Sequence, residues 1–245
     1  MPHHTMVFVE TARAHTNKMT KKDIKPLLLA TDFFSSLNDL ALDELIDLAV
    51  PLYLRKGDPL FLEGGNSAAI YLLTEGRIES FVSDGQGKKF VFMFNEPGEL
   101  LGEVSYLDGG PCAWSAVAER DCQLLMFRRS DLVSVFGVAD GLPCETIRSK
   151  ILLRLAGMVR RISTSAKNLA LLDVYGRIRI LFNELLVEED GVLQLDKPLT
   201  QQEIADQIGS SREMVARILK ELVYGHYIRM ENRRIVLLKM LPENF

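Results

Sequence analysis

The chain has 245 residues, with 29 Lys and Arg against 33 Asp and Glu, and 47% of it is hydrophobic. That length suits one or two domains, and that much apolar surface provides a core and excludes global disorder. No run approaches the roughly 18 apolar residues of a membrane span, the N-terminus lacks the basic and apolar regions of a secretory signal, and the three cysteines Cys112, Cys122 and Cys144 lack metal spacing and fit reduced thiols in a cytoplasm.

Charge is unevenly spread. Residues 1–144 carry 13 Lys and Arg against 20 Asp and Glu, a balance of −7, whereas residues 145–245 carry 16 against 13, a balance of +3. An acidic front and a mildly basic back suit a two-domain protein whose C-terminal part meets phosphate.

Residues 1–25 are polar and aperiodic and read as a mobile tail; His3, His4 and His15 are metal-prone by type but are read as part of that tail and not as metal ligands. From Leu27 to Val50 the apolar spacing is helical, until Pro51 ends it. From Leu52 to about Val135 the pattern changes to short strands broken by turns at Gly57-Asp58-Pro59, Gly64-Gly65-Asn66, Glu75-Gly76, Pro97-Gly98 and Gly109-Gly110-Pro111. Short strands at nearly even spacing predict a small antiparallel roll or barrel. Within it, Gly98-Glu99-Leu100-Leu101-Gly102-Glu103 has the glycines of a phosphate cradle, where bare backbone approaches an anion; a tight turn between strands explains the same glycines.

The helical period returns from about Leu142 to Leu169. Ile151, Leu155, Met158, Ile162, Ser165 and Leu169 are spaced 4-3-4-3-4, a heptad seam. Leu152, Val159 and Ala166 form a second stripe beside it. One stripe suits a partner helix and the other suits the roll, so this segment is read as a dimerisation helix. Arg160 and Arg161 lie off the seam, either solvated or within reach of a phosphate.

Residues 171–187 read as another amphipathic helix, followed by a loop or hairpin. Then Leu199–Glu221 reads as two short helices around Gly209. Thr200 with Glu203, and Ser210 with Glu213, have capping-box spacing. Ile204, Ala205 and Ile208 share one face, and Val215, Ile218, Leu219 and Leu222 share another, leaving Ser211, Arg212, Glu213 and Arg217 outward. Residues 227–238 read as strand, turn and strand, a wing with Arg233 and Arg234 at its tip and the structural His226 beside it. A helix-turn-helix with a wing is a DNA reader; an ordinary helical hairpin with solvated charges is the plainer alternative. No nucleophile–base pair, metal spacing or Walker loop points to an enzyme.

In this order (roll, heptad helix, winged helix-turn-helix) the chain resembles the cyclic-AMP receptor protein and fumarate-nitrate regulator superfamily of bacterial transcription factors. The resemblance is carried by KGDPLFLEGG (56–65), YLLTEGRIESF (71–81), PGELLGE (97–103), NLALLDVYGRI (168–178) and LTQQEIADQIGSSREMVARILKEL (199–222). It implies an α+β chain with four parts: a tail (1–25), a cyclic-nucleotide-binding-like β-roll (26–141), a dimerisation helix (142–169) and a winged helix-turn-helix (170–245). It further implies a cytoplasmic homodimer that binds double-stranded DNA and RNA polymerase and no membrane. Arg212 and Arg217 would read guanine and Glu213 cytosine in TGTGA-like half-sites, with Thr200, Gln202 and Ser211 on phosphate. A sensing module that acts through protein contacts without DNA is the alternative.

The effector end departs from the family pattern. The resemblance places the effector pocket at Gly102, Glu103, Val104, Cys112, Ala113, Trp114 and Ser115. Cyclic-AMP-binding members carry an Arg-Ser pair where this chain has Cys112 and Ala113, and no Arg occurs between Arg77 and Arg120. A buried cyclic phosphate would lack its counter-charge there. The N-terminal cysteine cluster of the iron–sulfur members is absent, and no His lies between residues 16 and 225 to serve haem. The expectation is therefore an effector other than cyclic AMP, such as another nucleotide second messenger or thiol oxidation at Cys112, or none.

Overall fold

The computed structural model describes residues 19–35, 37–84, 88–136, 145–189, 191–231 and 234–243. His3, His4, His15, Cys144 and Arg233 lie outside the described residues. The chain forms two compact units, one from residues up to Phe81 together with Met93–Met158, the other from Val82–Phe92 together with Val159 onward.

From the N-terminal side, helices α1 (Lys21–Leu29) and α2 (Asp39–Leu48) precede strands β1 (Val50–Leu54), β2 (Pro59–Phe61), β3 (Ala69–Glu75), β4 (Ile78–Ser83), β5 (Lys89–Asn95) and β6 (Leu100–Leu101), with the end of β4 and the start of β5 counted in the second unit. Helix α3 (Glu103–Asp108), strands β7 (Ser115–Ala118) and β8 (Cys122–Arg128), helix α4 (Arg129–Phe136) and the start of α5 (Glu145–Leu171) follow. The strands make the expected roll as two four-stranded sheets, ordered β1-β8-β3-β6 and β2-β7-β4-β5. Strand alternation feeds two cores. From β3 and β8, Ile70, Leu72, Leu125 and Phe127 face a cluster with Leu28, Leu42 and Ile147, while Tyr71, Leu73, Leu124 and Met126 join Ile78 and Ala116 inside the roll.

The expected N-terminal tail ends earlier than residue 25. Thr20 and Asp23 form a capping box at the head of α1, and Ile24 and Leu28, four apart, enter the core. Polar Lys21, Lys22 and Lys25 on the outer side mask that short apolar stripe in the sequence.

The second unit holds the rest of α5, then α6 (Val174–Leu185), β9 (Leu186–Glu189), β10 (Val192–Leu195), α7 (Gln201–Ile208), α8 (Arg212–Tyr224), β11 (Ile228–Glu231) and β12 (Arg234–Leu237). The four strands form one sheet, ordered β11-β12-β10-β9. Ile178 and Phe182 of α6 pack with Ile204, Ala205 and Ile208 of α7 and with Val215, Ile218, Leu219 and Leu222 of α8. Helix α5 is thus apportioned between the two units at Met158 and Val159 and does not stand as a separate segment.

Candidate DNA interface and sensor pocket

Helix α7 starts at the expected box: Thr200 Oγ1 accepts from Glu203 N at 3.1 Å, and Glu203 Oε2 accepts from Thr200 N at 2.6 Å. It ends at Gly209, whose φ of +63° suits glycine. The backbone N–H of Ser210 bonds back to Ala205 O at 2.9 Å, so Ser210 closes α7. The cap of α8 is therefore Ser211, whose Oγ accepts from Met214 N at 3.2 Å. The capping box expected from Ser210 and Glu213 does not form, because Ser210 belongs to the preceding helix end. Glu213 stands in the first turn of α8, outside that cap, and exposed.

Ser211, Arg212, Glu213 and Arg217 all occupy the exposed side of α8, opposite its buried row. Glu213 and Arg217, four apart, share a face. Arg217 Nη2 lies 3.0 Å from Met214 Sδ. Gln202 Nε2 donates to Asp206 Oδ1 at 2.8 Å on exposed α7. In the wing, Arg234 is half-buried and reaches Glu189 Oε2 at 3.3 Å. Arg177, unmarked in the sequence reading, donates from Nη1 to Ile208 O at 2.8 Å.

The expected seam divides. Ile151 and Met158 are buried, and Ile151 and Leu155 pack in the helical core of the first unit. Ile162 and Leu169 are exposed, and Ser165 is half-buried. The apolar residues left outward are Leu152, Val159, Ile162, Ala166 and Leu169, with Leu155 half-buried beside them. Leu152 is 68% and Val159 63% exposed, which is far from the environment their side chains favour. At the start of the helix it is therefore the seam that packs inward, at Ile151 and Leu155, and the second stripe, at Leu152, that is left outward. Arg160 and Arg161 are exposed.

The predicted pocket residues also part company. Gly102, Glu103 and Trp114 line one small cavity, together with Ser80, Asn95 and Arg154. Gly102 takes a φ of +83°, and a Cβ there would stand 2.7 Å from Ala69 O, so the glycine serves a tight turn against β3. Val104, Cys112, Ala113 and Ser115 are not among the lining residues. Cys112 pairs through its backbone with Gly64 and Gly65, and its buried thiol points to the roll core. Ser115 Oγ accepts from Glu63 N at 3.0 Å, and Ala113 is exposed. Burial pushes the Cys112 thiol above its ordinary range, against the lowering effect of Ser105, which withdraws support from a redox role.

Arg154 is the residue that sequence reasoning missed. Its signal was legible: in the row Ile147, Ile151, Arg154, Met158, it alone is charged among residues that face the core.

A β-roll with a lined pocket in one unit and a capped two-helix reader with a strand wing in the other define a sensor-type DNA-binding regulator. Residues 51–137 match the cyclic nucleotide-binding domain, and residues 170–241 match the Crp-like helix-turn-helix domain. The chain is 26% identical over 215 residues to a CRP-like cAMP-activated global transcriptional regulator of Mycobacterium tuberculosis, covering 86% of this chain and 94% of that one. It is 29% identical over 191 residues to the cyclic AMP receptor protein of Thermus thermophilus, covering 76% and 85%. The c-di-GMP responsive global regulator CLP of Xanthomonas campestris shares the fold with a TM-score of 0.70 at 20% identity, covering 82% of this chain and 99% of that one. The chain belongs to the cyclic-AMP receptor protein and fumarate-nitrate regulator superfamily of transcription regulators.

Proposed function

We propose that the chain is a cytoplasmic homodimeric regulator that reads a palindrome of TGTGA-like half-sites and acts with RNA polymerase, under an effector other than cyclic AMP or none. The observation that carries the reading is the outward side of α8, where Arg212, Glu213 and Arg217 stand exposed at the head of the helix. Guanidinium groups pair with guanine O6 and N7, and a carboxylate accepts from cytosine N4. The exposed Leu152, Val159, Ile162, Ala166 and Leu169 on α5 support pairing through a helix seam. Two-fold pairing spaces half-sites about one helical turn apart. The two curated relatives are named for cyclic AMP, whereas here Cys112 and Ala113 supply no charge for a phosphate.

Fluorescence anisotropy at a stated salt concentration, with a labelled TGTGA-N6-TCACA duplex and a scrambled control, tests the reading. Preferential binding to the palindrome is expected. Equal affinity for both duplexes rejects the sequence assignment.

A further inference from the structure

Arg154 stands on the part of α5 that packs with the roll, between the buried Ile151 and Met158. A guanidinium in such a row needs acceptors, since an unpaired buried charge is costly. It has three. Nε lies 2.9 Å from Glu103 Oε1, Nη1 3.4 Å from Glu99 Oε1, and Nη2 donates to Leu100 O at 2.7 Å. The Glu103 side chain is 2% exposed and that of Arg154 17%. The polar chain continues inward to buried groups: Glu99 Oε2 accepts from Asn95 Nδ2 at 3.1 Å, and Asn95 Oδ1 accepts from Ser80 Oγ at 3.0 Å. Gly102 and Trp114 close around these groups, and the space left between them admits no water molecule.

We infer that Arg154 is the resident ligand of this pocket. Its guanidinium fills the site from within, paired to two carboxylates, so the cavity is built to recognise a guanidinium-type cation and to reject anionic nucleotides. Two carboxylates around one guanidinium leave a net negative site, and a phosphate would face repulsion and a cavity already filled. The three contacts differ in direction and use the planar fork of arginine; the point charge of lysine cannot reproduce them. Arg154 is then a specificity-determining residue, one that explains why the chain does without a cation at positions 112 and 113. The inference rests on the reading that cyclic AMP does not govern the chain, and it does not depend on DNA binding.

Thermal melts of the purified full-length chain, Arg154→Ala and Arg154→Lys test it, each with millimolar methylguanidinium chloride, sodium chloride or cyclic AMP. A ligand that binds only the folded form raises the melting temperature. Both variants are expected to melt below wild type. Methylguanidinium should raise the Tm of Arg154→Ala saturably, leave wild type unmoved, and lose its effect when Glu103→Gln is added. A cyclic-AMP-induced rise in wild type, or an Arg154→Ala protein that folds but ignores methylguanidinium, overturns the inference. Should Arg154→Ala fail to fold, Arg154→Lys decides: a wild-type Tm in that variant overturns it. Loss of duplex preference would bear on the proposed function alone and leave these melting results standing.

Discussion

The guanidinium of Arg177 donates to the carbonyl of Ile208 at 2.8 Å and so ties α6 to the last turn of α7. A helix end carries unpaired carbonyls and the negative pole of its dipole, and a cation there satisfies both. The contact lies immediately before Gly209, where the chain turns toward the reading helix. Arg177→Ala should destabilise the chain by about 1.5–3 kcal/mol, the range for a hydrogen bond to a charged group. Urea unfolding followed by circular dichroism should show a lower midpoint with little change in slope. Arg177→Lys should recover part of the loss.

On α8 the side chains divide by what they would touch. Arg212→Ala or Arg217→Ala should reduce discrimination between cognate and scrambled duplex by about 1–3 kcal/mol. Arg234→Ala in the wing should weaken both duplexes alike and flatten the salt dependence. Anisotropy titrations across a salt series measure both effects. Identical behaviour of the three variants would refute the division.

Two neighbours on α5 should behave in opposite ways. Val159 is exposed, so Val159→Asp should leave the fold intact and shift the chain toward monomer in sedimentation equilibrium. Ile151 is 2% exposed within the helical core, so Ile151→Ala should cost about 2–5 kcal/mol of stability. A monomeric Ile151→Ala of normal stability would restore the seam that the heptad spacing first indicated.

Cys112 and Cys122 are both buried, and burial raises both thiols above the ordinary range. A raised pKa lowers the thiolate fraction at neutral pH, so alkylation should be slow there and accelerate only at more alkaline pH than for a free thiol. Iodoacetamide labelling of a Cys144→Ser variant, resolved by mass spectrometry from pH 7 to pH 10, measures this. Rapid labelling of Cys112 at pH 7 would revive a redox role.

The order of elements was legible in the sequence because each rests on local chemistry. Glycine turns mark the roll, Thr200 and Glu203 cap α7, and Gly209 ends it. What was not legible depends on which of two equivalent local patterns the tertiary structure selects. Leu152 and Ile151 each begin a heptad-spaced row, and only packing against Ile70 and Phe127 decides which turns inward. Ser210 and Ser211 are both competent caps, and the backbone bond from Ser210 to Ala205 assigns the first to α7. Arg177 bonds to a group 31 residues away, beyond any local pattern; Arg154 shows locally as the one charge in a core-facing row, but its partner lies 51 residues away.

Ser211 gives one hydroxyl two obligations. Its oxygen accepts from Met214 N to start α8, which leaves its hydrogen free for an acceptor outside the helix. An aspartate at this position would satisfy the first demand and defeat the second, since it caps as well as serine and presents a negative charge to any phosphate. Ser211→Asp should therefore fold with unchanged stability and lose duplex affinity, a result that parallel melting and anisotropy measurements would reveal. Phosphorylation of Ser211 would add still more negative charge at the same place. On the proposed function, α8 thus begins at a residue where a single added charge would silence the reader without unmaking it.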